Sequence, residues 1–110
     1  MEFVTEIIDN KICVNLKEKR LDAKIAVQFK DKMKELIDEG NAYFILNLAD
    51  VEFIDSSGLG AIVTSLKLLG RNGDIVICNL HDDVMQMFSL TRMNKVFRIF
   101  KSFEDAKTGF

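Results

Sequence analysis

The chain predicts a single α/β domain spanning residues 1–110, built on a mixed, mostly parallel central sheet with about four helices. Three observations carry that prediction. Short, continuously apolar runs alternate with segments whose apolar residues recur every three or four positions, the pattern of buried strands between amphipathic helices. The first two runs stand only two residues apart, a hairpin spacing, so an N-terminal hairpin strand joins the sheet antiparallel. A length of 110 residues with 48% hydrophobic content supplies one packed core, and no proline-rich or Gly/Ser-rich linker divides it.

Taken in order, Phe3 to Ile8 and Lys11 to Leu16 form the hairpin around Asp9-Asn10. Asp22 precedes a helical pattern whose inner face holds Ala26, Phe29, Met33, Leu36 and Ile37, and Gly40-Asn41 supplies its stop. An apolar, strand-like run extends from Tyr43 to Ile54, with Tyr43–Leu48 as its buried strand. The turn Asp55-Ser56-Ser57-Gly58-Leu59-Gly60 leads into a helix marked by Leu59, Ile62, Val63, Leu66 and Leu69. Gly70 and Gly73 bracket the exit to a strand over Asp74–Cys78. Asp82 and Asp83 favour a helix start through the macrodipole, with Val84, Met87, Phe88 and Thr91 on the inner face. Val96–Phe100 is expected as the last strand, and Ser102 with Asp105 resembles a capping box for a short final helix. The expected order is β-β-α-β-α-β-α-β-α.

Composition removes several function classes. Fifteen Lys+Arg against seventeen Asp+Glu give a net charge of −2, so no electrostatic attraction to nucleic acid or to an anionic membrane is expected. No apolar stretch approaches the roughly 20 residues that span a bilayer. The N-terminus lacks the basic start and apolar run of a secretory signal. Cys13 and Cys78, both in apolar runs, are expected as reduced core residues, which suits a cytoplasmic protein. Two cysteines and one histidine without ligand spacing argue against a metal site.

The turn at Asp55 concentrates the chemistry. Two hydroxyls and a carboxylate sit at a helix N-terminus, where unpaired N–H groups and a partial positive charge favour an anion. A serine there can serve as a plain N-cap or accept a phosphoryl group, which adds about −1.5 to −2 of charge. A serine hydrolase wants Gly-x-Ser-x-Gly, but Ile54 and Asp55 stand two residues before Ser56 and Ser57, and nothing brings His81 to either. Gly58-x-Gly60 lacks the Lys-Ser/Thr of a P-loop and the third glycine of a dinucleotide fingerprint, so no cofactor is expected; a weak nucleotide contact stays open. A phosphoacceptor aspartate needs several carboxylates around a divalent ion. Asp50 and Asp55 follow a strand, but no acidic pair follows the first one.

The stretch Asn47-Leu48, then Val51-Glu52-Phe53-Ile54-Asp55-Ser56-Ser57-Gly58-Leu59-Gly60, resembles the signature of STAS domains, and among them the bacterial anti-sigma factor antagonists. Arg20-Leu21-Asp22, Asp74 to Asn79, Val84 to Phe88 and Ser102 to Ala106 extend the similarity along the chain. The resemblance implies a non-enzymatic switch. Ser56 would be phosphorylated by a partner that is both serine kinase and anti-sigma factor. Ser57 would be its neighbour and a candidate cap, and Asp22 and Asp55 would line the same partner-facing surface together with Leu59. Gly58 and Gly60 would let the partner's backbone approach. The unphosphorylated form would bind the anti-sigma factor and free the sigma factor, and a metal-dependent, PP2C-type serine phosphatase would reset the cycle. The alternative implied by the same resemblance is a STAS scaffold for another client, such as a signalling complex or a transporter. One departure bears on partner choice: Lys19-Arg20 stands where many members have glycine and an acidic residue.

Overall fold

The structure is a computed structural model describing residues 1–110. Strands β1 (Phe3–Ile8) and β2 (Lys11–Leu16) form the expected hairpin. Asp9 takes a positive φ of 47° in the two-residue turn, a conformation that Asp tolerates better than most residues. A two-residue strand β3 (Arg20–Leu21) leads into α1 (Ala23–Asp38). Gly40, with φ 101°, ends that helix, and the Asn41 side chain donates to the Leu36 carbonyl at 2.9 Å. Strand β4 (Tyr43–Asn47), strand β5 (Phe53–Ile54), helix α2 (Ser56–Leu69), strand β6 (Asp74–Cys78) and helix α3 (Asp82–Leu90) follow. Strand β7 (Ile99–Phe100) and helix α4 (Phe103–Gly109) complete the chain.

Five strands form one sheet in the order β1-β2-β4-β6-β7, antiparallel between β1 and β2 and parallel elsewhere. Alternate side chains leave opposite faces, and both faces are covered. Val14, Phe44, Leu46, Ile75 and Ile77 pack with α1, α2 and α3, while Cys13, Ile45, Val76 and Cys78 pack with Ala106 of α4. That double cover explains why β4 and β6 are continuously apolar rather than alternating.

Four expectations are corrected. The run Tyr43–Ile54 is two strands, not one. Asn47 ends β4 because its side-chain oxygen accepts from the Ala49 N–H (3.0 Å) and from the Asn79 side chain (3.1 Å), turning the chain out of the sheet. Phe53–Ile54 then pairs with β3 in a separate two-stranded sheet. The last strand is only Ile99–Phe100, because Met93–Lys95 forms a 3-10 turn and the Phe97 N–H donates to Met93 at 2.9 Å. Helix α2 begins at Ser56, three residues before its first apolar position. Thr91 is not on the inner face of α3: it is exposed beyond the helix, and its hydroxyl donates to the Met87 carbonyl at 2.7 Å.

Candidate functional site

The small parallel ladder builds the site. Arg20 pairs with Phe53 and Leu21 with Ile54, and the Asp55 N–H donates to the Leu21 carbonyl at 3.3 Å. Each strand runs directly into a helix, so the next residue on each, Asp22 and Asp55, becomes an N-cap. Both caps have the extended backbone that capping requires, with φ near −117° and −112°. The Asp22 carboxylate accepts from the Lys24 N–H (3.2 Å) and the Ile25 N–H (3.4 Å); Asp55 accepts from the Gly58 N–H at 2.9 Å.

Asp55 therefore holds the position that sequence alone offered to a serine. Ser57 is not the cap. Ser56 and Ser57 are the first two residues of α2, both are exposed, and no hydrogen bond engages either hydroxyl. The N-terminal N–H groups of a helix have no intrahelical acceptor, so Ser56 stands in a locally positive field.

Gly58 and Leu59 face inward. A Cβ on Gly58 would overlap the Leu21 carbonyl oxygen and lie 2.9 Å from its carbon and from the Leu21 Cγ, so this glycine serves the packing of α2 on β3. Leu59, only 6% exposed, belongs to the main core. Gly60 is different: it is exposed, and a Cβ there would meet nothing within 4 Å. Of the residues expected to face a partner, Asp22, Asp55, Ser56, Ser57 and Gly60 share the surface at the start of α1 and α2, and Gly58 and Leu59 lie beneath it.

One feature of this surface escaped the sequence. Arg20 is held on two sides, its Nε donating to Asp22 at 3.2 Å and its guanidinium lying 4.1 Å from the Phe53 ring centroid. Partial desolvation raises the Asp22 pKa, but the hydrogen bonds from Arg20 and from the Ile25 and Lys24 N–H groups outweigh it and hold the carboxyl below its ordinary 3.8. The signal was present as two parallel tripeptides, Arg20-Leu21-Asp22 and Phe53-Ile54-Asp55, each an apolar residue followed by a capping aspartate.

The arrangement has no pairing of nucleophile and base. The His81 Nε2 donates to the Ala49 carbonyl at 2.6 Å, on a loop after β4, and Asp50 pairs with Lys17 at 3.5 Å. No group of three or more His, Cys, Asp and Glu side chains stands together as a set of metal ligands. No helix is long and apolar enough to cross a membrane.

The fold is a small α/β domain whose surface carries a capped, serine-bearing helix start. The family model of the STAS domain matches residues 2–106, and the chain belongs to that family. A solved Thermotoga maritima protein, provisionally named an anti-sigma factor antagonist, is 29% identical, with 97% of this chain and 92% of that one covered and a TM-score of 0.86. The anti-sigma-B factor antagonist of Staphylococcus aureus is 25% identical over 72% of this chain and 74% of its own length. SpoIIAA of Bacillus in its phosphorylated form shares the fold at 20% identity, with 99% and 100% coverage and a TM-score of 0.73.

Proposed function

We propose that this chain is an anti-sigma factor antagonist whose binding is switched by phosphorylation of Ser56. The observation that carries the proposal is the division of labour at the start of α2. Asp55 does the capping, which leaves the Ser56 hydroxyl exposed and without a partner. A phosphoryl group received there from ATP, with ADP leaving, would sit at a helix N-terminus that accommodates an anion without refolding.

The unmodified surface, with Asp22, Asp55, Ser57 and Gly60 around Ser56, is the binding face for an anti-sigma factor that is also a serine kinase. A dianion beside the Asp55 carboxylate adds like-charge repulsion and a desolvation cost when that face is covered. A loss of about 3 kcal/mol weakens affinity by roughly two decades. A PP2C-type serine phosphatase then restores the binding form. The protein acts in the cytoplasm and performs no catalysis of its own. SpoIIAA supports the reading by sharing the fold and existing in a phosphorylated form.

The test is phosphosite mapping after incubation with ATP and the histidine-kinase-fold serine kinases of the source cell. Modification confined to Ser56, absent from Ser56→Ala, is the expected result, together with weakened kinase binding by Ser56→Asp. Absence of modification alongside stable binding to another client would replace this reading with that of a STAS scaffold.

A further inference from the structure

The five-stranded sheet ends in two free edges of opposite character. The β1 edge carries Glu2, Glu6 and Asp9 and no cation between residues 2 and 9. Val4 and Ile7 on it are 46% and 68% exposed. The segment from the end of α3 through β7 carries Arg92, Lys95, Arg98 and Lys101 and no carboxylate between residues 92 and 101, in a chain whose net charge is −2. Its Val96 is exposed, and Ile99 and Phe100 are half-buried. The register of β1 with β2 runs unbroken from Phe3 to Ile8, with no bulge, lysine or proline, and Glu6 is the one charge within the strand.

The backbone sets which residues offer hydrogen bonds outward. The Lys17 N–H donates to the Glu2 carbonyl at 3.0 Å, so the even-numbered residues of β1 face β2, and Phe3, Thr5 and Ile7 turn their N–H and C=O groups to the free side. On the other edge, Ile77 and Asn79 donate to the carbonyls of Arg98 (3.0 Å) and Phe100 (3.3 Å), so Ile99 turns its own groups outward.

We propose that these edges are the two halves of one self-association surface, with β1 of one copy adding antiparallel to β7 of the next and Glu6 lying opposite the neighbouring copy's Arg98. Strand direction agrees, since β7 runs with β2, β4 and β6 while β1 runs against them. Parity lets Ile99 pair only with Phe3, Thr5 or Ile7 of the neighbour. Pairing with Thr5 sets Glu6 against Arg98 and Val4 against Phe100. The other two registers set Arg98 against Val4 or Ile8 and match no charge.

The faces agree as well. Phe100 packs on the α4 side of the sheet, and Glu6 is the register partner of Cys13, which lies on that same side. In the single chain Arg98 reaches back to Asp74 of β6 (3.5 Å), donates to the Gly109 carbonyl (3.1 Å) and lies 5.2 Å from the Phe110 ring centroid, with half its surface open, so meeting Glu6 turns its guanidinium outward. The interface joins unlike patches, so assembly does not close at two copies and grows head to tail. Its charge pairing is at the surface, so salt weakens it.

Sedimentation equilibrium over a concentration series tests this. At low ionic strength the weight-average mass is expected to rise continuously past twice the 12.5 kDa of one chain, and to fall back in high salt. Arg98→Glu and Glu6→Arg are each expected to be monomeric. Their equimolar mixture should assemble again, because the altered edge of each variant then matches the other. Ile7→Lys, a change at a largely exposed position, should block growth with an unchanged circular dichroism spectrum. A monomer at every concentration in low salt overturns the proposal. So does a mass that stops at the dimer, or association that both charge reversals leave untouched.

Discussion

The carbonyl of Leu21 occupies the space where a side chain on residue 58 would begin. This contact fixes the depth at which α2 sits on the β3–β5 ladder, and with it the height of Ser56 above the surface. It also explains why a glycine stands in the third position of a helix that otherwise has no need of one.

Gly58→Ala is therefore expected to destabilise the fold by about 3 kcal/mol, because the added methyl meets backbone rather than a movable side chain. Gly60→Ala is the control. Its Cβ enters open space, so replacing a helical glycine should stabilise by about 0.5–1 kcal/mol. Urea denaturation of both variants checks the pair, and equal effects would contradict the packing account.

Capping gives the second expectation. Asp55→Ala removes the oxygen that accepts from the Gly58 N–H and should cost about 1 kcal/mol, while Asp55→Asn keeps most of the stability. Ser57→Ala should stay within about 0.5 kcal/mol of the unmodified protein, since its hydroxyl caps nothing. The reverse order of effects in denaturant melts would return the cap to the serine.

Stability should decline at both ends of the pH scale for separate reasons. The Asp22 carboxyl is held below its ordinary value, so its contribution is present above the unfolded-state pKa near 3.8 and is lost as pH falls through the lower folded value. Asp22→Asn should flatten that acid limb. Burial, together with the nearby Glu6 charge, pushes the Cys13 thiol from 9.0 up to about 11, and burial likewise pushes Cys78 to about 12. Unfolded thiols ionise first, so stability should fall as pH rises from about 9 through these folded values. Thermal melts across pH measure both limbs. A thiol reagent at pH 8 should label neither cysteine until the protein unfolds.

Much of the fold was legible because its signals are local. The hairpin around Asp9-Asn10, the stop at Gly40, the start of α4 at Ser102 and the inner faces of α1 and α2 all follow from neighbours within a turn or a strand. The two-residue strands β3 and β5 were not legible. A pair of residues carries no periodicity, and each becomes a strand only by meeting the other across 33 positions of chain. Val96–Phe100 failed for a related reason. Its apolar residues read as one run, but Phe97 is recruited into the core by a turn from Met93 and leaves only Ile99–Phe100 to pair with β6.

At the site, the residue types around Asp55 and their place before a helix were plain from the sequence, and the family resemblance singled out Ser56 as the candidate acceptor. Which of those groups caps, which packs and which faces solvent depended on the β3–β5 pairing. That pairing sets Leu21 against α2, turns Gly58 and Leu59 inward, and brings the caps Asp22 and Asp55 side by side. Local chain geometry decides where a helix begins, but exposure is decided by what another part of the chain covers, and here that cover is supplied by Leu21.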